Sequence, residues 1–196
     1  MKYTSIEKEQ WLYQKPNTKY YDCGIRAVLN AYMFWNGYDK NIKQKLCYYR
    51  KKYGPYTDGC NGETTPCEIQ HLAYDLNLSM AVIPPNITGI NGMLRYNLPV
   101  LFAGCYVKSS GNEYGHSFLV IPGSKAINLH NKPVETFDFE KDIVLPNYEN
   151  GKPWQTIFTV IPNEYSLKRT KHLVSIHDKG LFRIISETIY KDGKYI

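Results

Sequence analysis

The sequence predicts an α+β protein in which N-terminal helices pack on an antiparallel β-sheet. Two observations lead to this prediction. Before Asn77, apolar residues recur at helical spacing in three segments, whereas after Asn77 they form short runs separated by turn residues, which is typical of strands. Helical and strand patterns therefore do not alternate along the chain. This order favours an antiparallel sheet over repeated β-α-β units, which need a helix between successive strands.

The first predicted helix begins at Cys23 and ends near Gly37, a residue type that commonly terminates helices. Its apolar stripe has helical spacing and consists of Ile25, Val28, Leu29, Tyr32 and Met33. Asp22 precedes the helix as a residue type that favours the N-cap position. Because a thiol at a helix start lies at the positive end of the helix dipole, this position favours the thiolate form of Cys23.

Two more helices are predicted before Asn77. Residues 39–53 form a helical pattern with an apolar face made of three residues, Ile42, Leu46 and Tyr49. Basic residues cover most of the rest of this segment, as expected for a helix face in contact with solvent. The third helix begins at Thr65-Pro66-Cys67-Glu68, which combines a capping threonine, a proline suited to the first helical position and the glutamate of a capping box. Its inner face is predicted to contain Ile69, Leu72, Ala73 and Leu76.

Beyond Asn77 the prediction is mainly of strands. The strand candidates are Ser79–Ile83, Pro99–Val107, His116–Ile121, Lys125–Leu129, Trp154–Ile161 and Leu181–Tyr190. A short helix is expected over Thr88–Tyr96, and Lys108–Glu113 is expected to be a polar turn between two strands. Residues 163–180 show no clear pattern.

Length and composition predict one domain over residues 1–196, because 196 residues suffice for one hydrophobic core and are few for two. A formal charge of +6 falls short of the basic excess typical of nucleic-acid-binding proteins. The first residues lack the apolar core of a signal peptide, and no apolar run is long enough to cross a membrane. Five scattered cysteines, an odd number, do not indicate a disulfide framework, so we expect a reducing cytoplasm.

Cys23 is the candidate nucleophile, and a nucleophilic cysteine needs a base, a group that orients the base and donors for the oxyanion. His116 is the best candidate base, because it opens an apolar strand directly after a polar turn and is therefore expected to face a cleft. The orienting residue is expected from the next strand, where Asn131 continues one face beyond the strand end and Asn128, on the other face, is the second choice. Gln14 is a candidate oxyanion donor together with the backbone N–H of Cys23.

Several short motifs follow one another in a fixed order between residues 10 and 140. They are Gln14, Asp22-Cys23-Gly24 at a helix start, Thr64-Thr65-Pro66 before a helix, Leu98-Pro99-Val100, Gly115-His116, and Asn131 before Pro133. In this order they resemble the papain-like cysteine peptidases, specifically those that process bacteriocin leaders and their stand-alone relatives. The resemblance implies a papain-like fold and a role for each site residue: nucleophile Cys23, base His116, orienting residue Asn131 and oxyanion donor Gln14. The family usually has Asp-Pro where this chain has Asn131-Lys132-Pro133.

We therefore predict a thiol hydrolase that cleaves a peptide or amide bond through an acyl-thioester. We expect a peptide or protein substrate, no cofactor or metal, and no nucleic-acid or membrane partner. Two alternatives remain: a catalytically inactive papain-like module that binds a protein or peptide, and a papain-like deamidase or transpeptidase. A zinc site is disfavoured, because no C-x-x-C pair occurs among the irregularly spaced Cys47, Cys60, Cys67 and Cys105. His172 and His177 are expected at the surface, and residues 140–196 have no predicted role.

Overall fold

The computed structural model describes residues 5–15, 21–53, 64–83, 85–109, 112–144, 156–163, 190–191 and 194–195. Within these ranges the chain is α+β, as predicted, with helices in the N-terminal half followed by an antiparallel sheet. Cys60, His172 and His177 lie outside the described residues, as does all but the last residue of the predicted strand Leu181–Tyr190. None of the helices in these ranges combines the length and the apolar character that crossing a membrane requires.

Three helices form at the predicted positions: α1 (Cys23–Asn36), α2 (Ile42–Tyr53) and α3 (Pro66–Asp75). Gly37 ends α1 at a positive φ of 86°, and its N–H donates to the carbonyl of Met33 at 2.8 Å. At the start of α3, Thr65 and Glu68 form both reciprocal hydrogen bonds of the predicted capping box. Local sequence signals therefore determine where these helices begin or end.

The elements that follow are β1 (Leu78–Val82), α4 (Ile87–Arg95), β2 (Val100–Ser109), β3 (Asn112–Ile121), β4 (Lys125–Ile127), β5 (Glu135–Thr136), α5 (Phe139–Asp142), β6 (Ile143–Val144), β7 (Thr156–Pro162), β8 (Tyr190–Lys191) and β9 (Lys194–Tyr195). Strands β1 to β7 form one antiparallel sheet in the order β1-β7-β2-β3-β4-β5, with β6 paired to β2. Strands β8 and β9 pair with each other. The polar turn expected over Lys108–Glu113 is shorter, because β2 and β3 remain paired as far as Ser109 and Asn112.

Helices cover both faces of the sheet, since alternate residues of a strand point to opposite sides. On one face, Leu101 of β2 and Leu119 of β3 pack with the apolar sides of α1, α2 and α3. On the other face, the rings of Phe102 and Phe118 stack with 4.6 Å between their centroids and pack with α4 and α5. By this alternation, Ser117 shares the α1-facing side of β3 with Leu119.

Gly24, the second residue of α1, permits a close approach between α1 and α3. A Cβ atom at this position would lie 3.0 Å from Cδ1 of Ile69 and 3.0 Å from Cβ of Thr64. Carbon atoms in a packed interior do not approach that closely without displacing each other. The absence of a side chain at Gly24 therefore allows the start of α1, which carries Cys23, to pack closely against α3.

Candidate active site

The thiol of Cys23 lies at the start of α1 and is surrounded by hydrogen-bond partners. It contacts the backbone and the side chain of Ser117 in β3, and the backbone of Gly24. The side chain is partly exposed but densely enclosed by protein, and this burial raises the pKa of the Cys23 thiol. The hydrogen bonds from Ser117 and Gly24 lower the pKa of the thiol, because donors stabilise the charged sulfur.

The direction of this pKa change is opposite to the prediction made from the helix start alone. The helix dipole and nearby N–H groups favour a thiolate. Burial around Cys23 removes more hydration energy from the charged form than these groups return, so the net change is upward. The resting thiol is therefore protonated at neutral pH, and its reaction requires a base.

His116 lies in β3 and is almost completely buried, with 4% of its surface exposed. Its Nε2 atom lies 2.5 Å from the carbonyl oxygen of Asn128. Because a carbonyl oxygen only accepts hydrogen bonds, this contact assigns the proton to Nε2 and leaves Nδ1 as the basic atom of the neutral ring. Burial lowers the pKa of His116 to about 4, although the Asn128 contact acts in the opposite direction. The imidazole is therefore neutral at physiological pH, as a general base must be.

Cys23 and His116 are not hydrogen-bonded to each other among the contacts of the described residues. By the strand alternation, His116 shares its face of β3 with Phe118, and 6.4 Å separates the centroids of the two rings. Ser117, which contacts the thiol, is the residue that follows His116. The ring of Tyr114 lies 5.7 Å from the His116 ring, centroid to centroid. Burial raises the pKa of Tyr114, with smaller contributions from the charges of Glu135 and Cys23. β4 pairs with only the last three residues of β3, so the pairing of these two strands does not extend to His116.

The structure places Asn128, rather than Asn131, at the His116 ring. Asn128 directly follows β4, is completely buried and has a left-handed φ of 68°. The expectation for Asn131 assumed that the strand alternation continues beyond β4, but a left-handed residue interrupts it. Asn131 is half-buried with φ 58°, and no hydrogen bond found among the described residues joins it to His116.

The backbone segment that ends at Gln14 is held by polar side chains of α1. Asn30, completely buried, accepts the N–H of Leu12 at 2.9 Å and donates to the carbonyl of the same residue at 2.8 Å. Arg26 donates from Nη1 to the carbonyl of Tyr13 at 2.8 Å. These bonds fix two successive residues before Gln14 to the helix that begins at the thiol.

Asn128 extends this arrangement to the predicted oxyanion donor. Its side-chain Oδ1 accepts the backbone N–H of Gln14 at 2.6 Å, while its own carbonyl accepts from His116. The remaining amide nitrogen, Nδ2, is buried and has no hydrogen-bond partner within the part of the chain that the structure describes. A buried donor that is left unpaired destabilises the fold. A role in function is one reason why a protein keeps such an atom.

Asp22 occupies the N-cap position of α1, as expected, but its side chain makes no capping hydrogen bond. Its fully buried carboxylate pairs instead with two guanidinium groups. Oδ1 accepts from Nε of Arg26 at 2.7 Å, and Oδ2 accepts from Nε of Arg50, in α2, at 2.5 Å. Because Arg26 also holds the Tyr13 carbonyl, one carboxylate connects α1, α2 and the N-terminal segment beside Cys23.

Cys105 in β2 pairs with His116 in the neighbouring strand β3. This pairing makes Cys105 the alternative candidate for the nucleophile. It is completely buried, its sulfur contacts a backbone carbonyl at 3.8 Å, and burial raises its pKa to about 12. The remaining described cysteines are exposed on α2 and α3: Cys47 and Cys67. Of the cysteines that the structure describes, Cys23 is the one that combines partial access with several donors at its sulfur.

Ser117, Arg26 and Asn30 are parts of this region that the sequence patterns did not predict. One signal was available for the helix: Arg26 and Asn30 are four residues apart in a segment whose other residues are mostly apolar, which places two polar groups on one buried face. For Ser117, the signal was a polar residue inside an apolar strand, directly after the candidate base.

The depressed pKa of His116 predicts that acid destabilises the protein above the range in which its carboxylates titrate. In the unfolded chain the imidazole binds a proton near its ordinary value of 6.5, and in the folded protein only near 4. Between these values unfolding takes up a proton, so the free energy of unfolding falls as the pH is lowered from 6.5 toward 4. At about 1.4 kcal/mol for each pKa unit, the full loss is about 3 kcal/mol.

Urea unfolding at pH 7 and pH 4.5 measures this dependence, and His116→Gln is the control variant. The variant should lose less stability than the wild type between the two pH values, because it lacks the titrating imidazole. An equal loss in both proteins would show that groups other than His116 cause the acid sensitivity.

Comparison with known proteins does not assign the chain to a family. No protein-family model matches the sequence. No curated protein is similar to it at a significant level. The chemistry of the site is therefore argued from its own residues and contacts.

Proposed function

We propose that the protein is a papain-like cysteine hydrolase that cleaves a peptide or amide bond, with Cys23 as nucleophile and His116 as general base. The observation that supports this most is the state of the His116 ring, in which Nε2 is taken by the Asn128 carbonyl and Nδ1 is left as the basic atom. The thiol lies against Ser117, the residue that follows this base. A neutral base and a protonated thiol are the starting state for general-base activation of cysteine.

The reaction begins when Nδ1 of His116 takes the thiol proton and the sulfur of Cys23 attacks the substrate carbonyl carbon. A C–S bond forms, and the carbonyl π electrons move to the oxygen, which becomes an oxyanion. The proton on Nδ1 then passes to the leaving nitrogen, the C–N bond breaks, and an acyl-thioester remains. Water gives a proton to Nδ1 and attacks the thioester, which releases the carboxylic acid and returns the proton to the sulfur.

We assign two donors to the oxyanion: the backbone N–H of Cys23 and the side-chain amide of Gln14. An N–H in the first turn of a helix has no acceptor within that helix. The backbone N–H of Gln14 donates to the side chain of Asn128, and the carbonyl of the same Asn128 accepts from His116. Asn128 therefore links Gln14 to the base. In this proposal Asn128 takes the orienting role through its backbone carbonyl, which stabilises the imidazolium that forms when Nδ1 is protonated.

The experiment that tests the proposal is acylation by p-nitrophenyl acetate, a small activated ester. We expect a burst of about one equivalent of nitrophenolate per chain, with the acetyl group on Cys23 when the adduct is mapped by mass spectrometry. Because His116 is neutral above a pH of about 4, the rate at Cys23 should rise near that pH and then stay level to pH 7. The exposed thiols Cys47 and Cys67 are the references and should not show this level range.

Acetylation of Cys105 or of the exposed thiols ahead of Cys23 would contradict this assignment. A rate at Cys23 that rises steadily with pH would contradict the role of His116. Deamidation and transpeptidation use the same acyl-thioester, and they are separated from hydrolysis by their products, which are ammonia in one case and a new amide bond in the other.

A second candidate function, a papain-like module that binds a peptide without cleaving it, is favoured by one observation. Cys23 and His116 are not directly hydrogen-bonded among the described contacts. This alternative predicts that Cys23 is acetylated no faster than the buried Cys105, and that its rate is unchanged when His116 is replaced.

A further inference from the structure

Strand β2 carries a β-bulge opposite Ser117. The register shifts by one residue at this point, so Ala103 and Gly104 together oppose the single residue Ser117. Gly104 has a φ of 63°, a left-handed conformation that glycine adopts without strain in such bulges. Its N–H donates to Oγ of Ser117 at 3.0 Å. The bulge therefore supplies the Ser117 hydroxyl with a fixed backbone donor.

The Gly104 N–H determines which hydrogen bonds remain open to the Ser117 hydroxyl. A hydroxyl has one proton to donate, and here a lone pair of Oγ already accepts the Gly104 N–H. The other partner of the side chain is the sulfur of Cys23. Because Ser117 is only 3% exposed, water does not compete for the proton. The O–H is thus left available to the sulfur, and the backbone of Ser117 provides a second contact to the same atom.

We propose that Ser117 is a catalytic residue that stabilises the Cys23 thiolate through a hydroxyl oriented by the Gly104 bulge. This inference rests on the proposed function, because it gives the sulfur a role in a reaction. As the thiol proton moves to Nδ1 of His116, negative charge develops on a sulfur that is enclosed by protein. The Ser117 donors are directed at that charge before it forms, so little reorganisation is needed when the proton leaves.

The test is alkylation of the full chain with iodoacetamide between pH 5 and pH 10, with each cysteine resolved by mass spectrometry. Alkylation needs only a thiolate, and it requires neither an oxyanion nor an acyl intermediate. Ser117→Ala removes Oγ and keeps the backbone donor. We expect the rising part of the pH profile of Cys23 alkylation to move upward by about one pH unit, so that the rate at pH 7 falls about tenfold. Exposed Cys67 is the internal reference and should keep its wild-type rate.

Two variants of nearly equal shape separate the hydroxyl from the volume of the side chain. Ser117→Thr keeps the hydroxyl, and Ser117→Val replaces it with a methyl group, with both residue types suited to a strand. The threonine variant should keep the wild-type pH profile of Cys23 alkylation, whereas the valine variant should show the upward shift. Because the two variants have similar volumes, their comparison decides the question even where Ser117→Ala does not fold.

Equal alkylation profiles for the threonine and valine variants would overturn the role of Ser117. The proposed function would survive that outcome as long as Cys23 is acetylated by p-nitrophenyl acetate in a reaction that depends on His116. The opposite outcome is also distinct. If Cys23 is not acetylated but Ser117→Val still shifts the pH profile of its alkylation, the hydrolase proposal fails and the control of the thiol by Ser117 stands.

Discussion

Replacing His116 by glutamine is expected to slow the acetylation of Cys23 at pH 7 by about 10²–10⁴-fold, the range typical of lost general-base catalysis. Glutamine is uncharged and its amide N–H can still donate to the Asn128 carbonyl, so the main change is the loss of the basic Nδ1 atom. Burial raises the pKa of the Cys23 thiol, so little thiolate exists at pH 7 without a base. Stopped-flow measurement of the nitrophenolate burst gives the rate.

The matched control is His71→Gln, since His71 is exposed on α3. This variant should acetylate Cys23 at the wild-type rate, and Cys23→Ala provides the background rate. In the His116 variant, the level part of the pH–rate profile should be replaced by a steady rise, because only preformed thiolate can react. Wild-type acetylation in His116→Gln would remove the histidine from the mechanism.

The largest effect on stability is expected at Asp22. We expect Asp22→Asn to lower the free energy of unfolding by about 3–5 kcal/mol, the range for removing one partner of a buried ion pair. The carboxylate is completely buried and serves both Arg26 and Arg50, of which Arg26 is itself 8% exposed. A neutral amide compensates neither guanidinium charge, and its NH₂ group faces one of them as a second donor. Urea unfolding at pH 7 measures the loss.

Asp39→Asn is the matched control for this substitution. Asp39 pairs with Lys45 at 3.7 Å in a more exposed environment, and its Oδ1 accepts the N–H of Asn41, a contact that asparagine retains. The expected loss is below about 1 kcal/mol, as is usual for surface ion pairs. Similar losses in the two variants would mean that Asp22 contributes no more than a surface carboxylate.

Asp22→Asn should also affect the site more than Asp39→Asn does. Arg26, released from its carboxylate, no longer holds the Tyr13 carbonyl in a defined position, and Gln14 follows Tyr13 directly. The acetylation rate of Cys23 is therefore expected to fall in the folded Asp22 variant, measured at a pH and temperature at which both variants remain native.

The helices could be predicted from the sequence because their signals are local. The spacing of apolar residues in α1, the terminating Gly37 and the capping box of Thr65 and Glu68 act over a few neighbouring residues, and all three appear in the structure. The order of helices and strands likewise predicted the α+β class. Cys23 at a helix start and His116 within a strand follow from the same local patterns.

The partners of these residues were decided by the tertiary structure. Asn128, and not Asn131, reaches the base because a left-handed residue ends the alternation of β4, which a period-two pattern does not reveal. Asp22 serves two arginines instead of its own helix because Arg50, distant in sequence, packs against it. The pKa of Cys23 rises because burial, which depends on what covers the sulfur, exceeds the effect of the helix dipole. Local patterns specify elements, whereas charge states and hydrogen-bond partners depend on segments that only folding brings together.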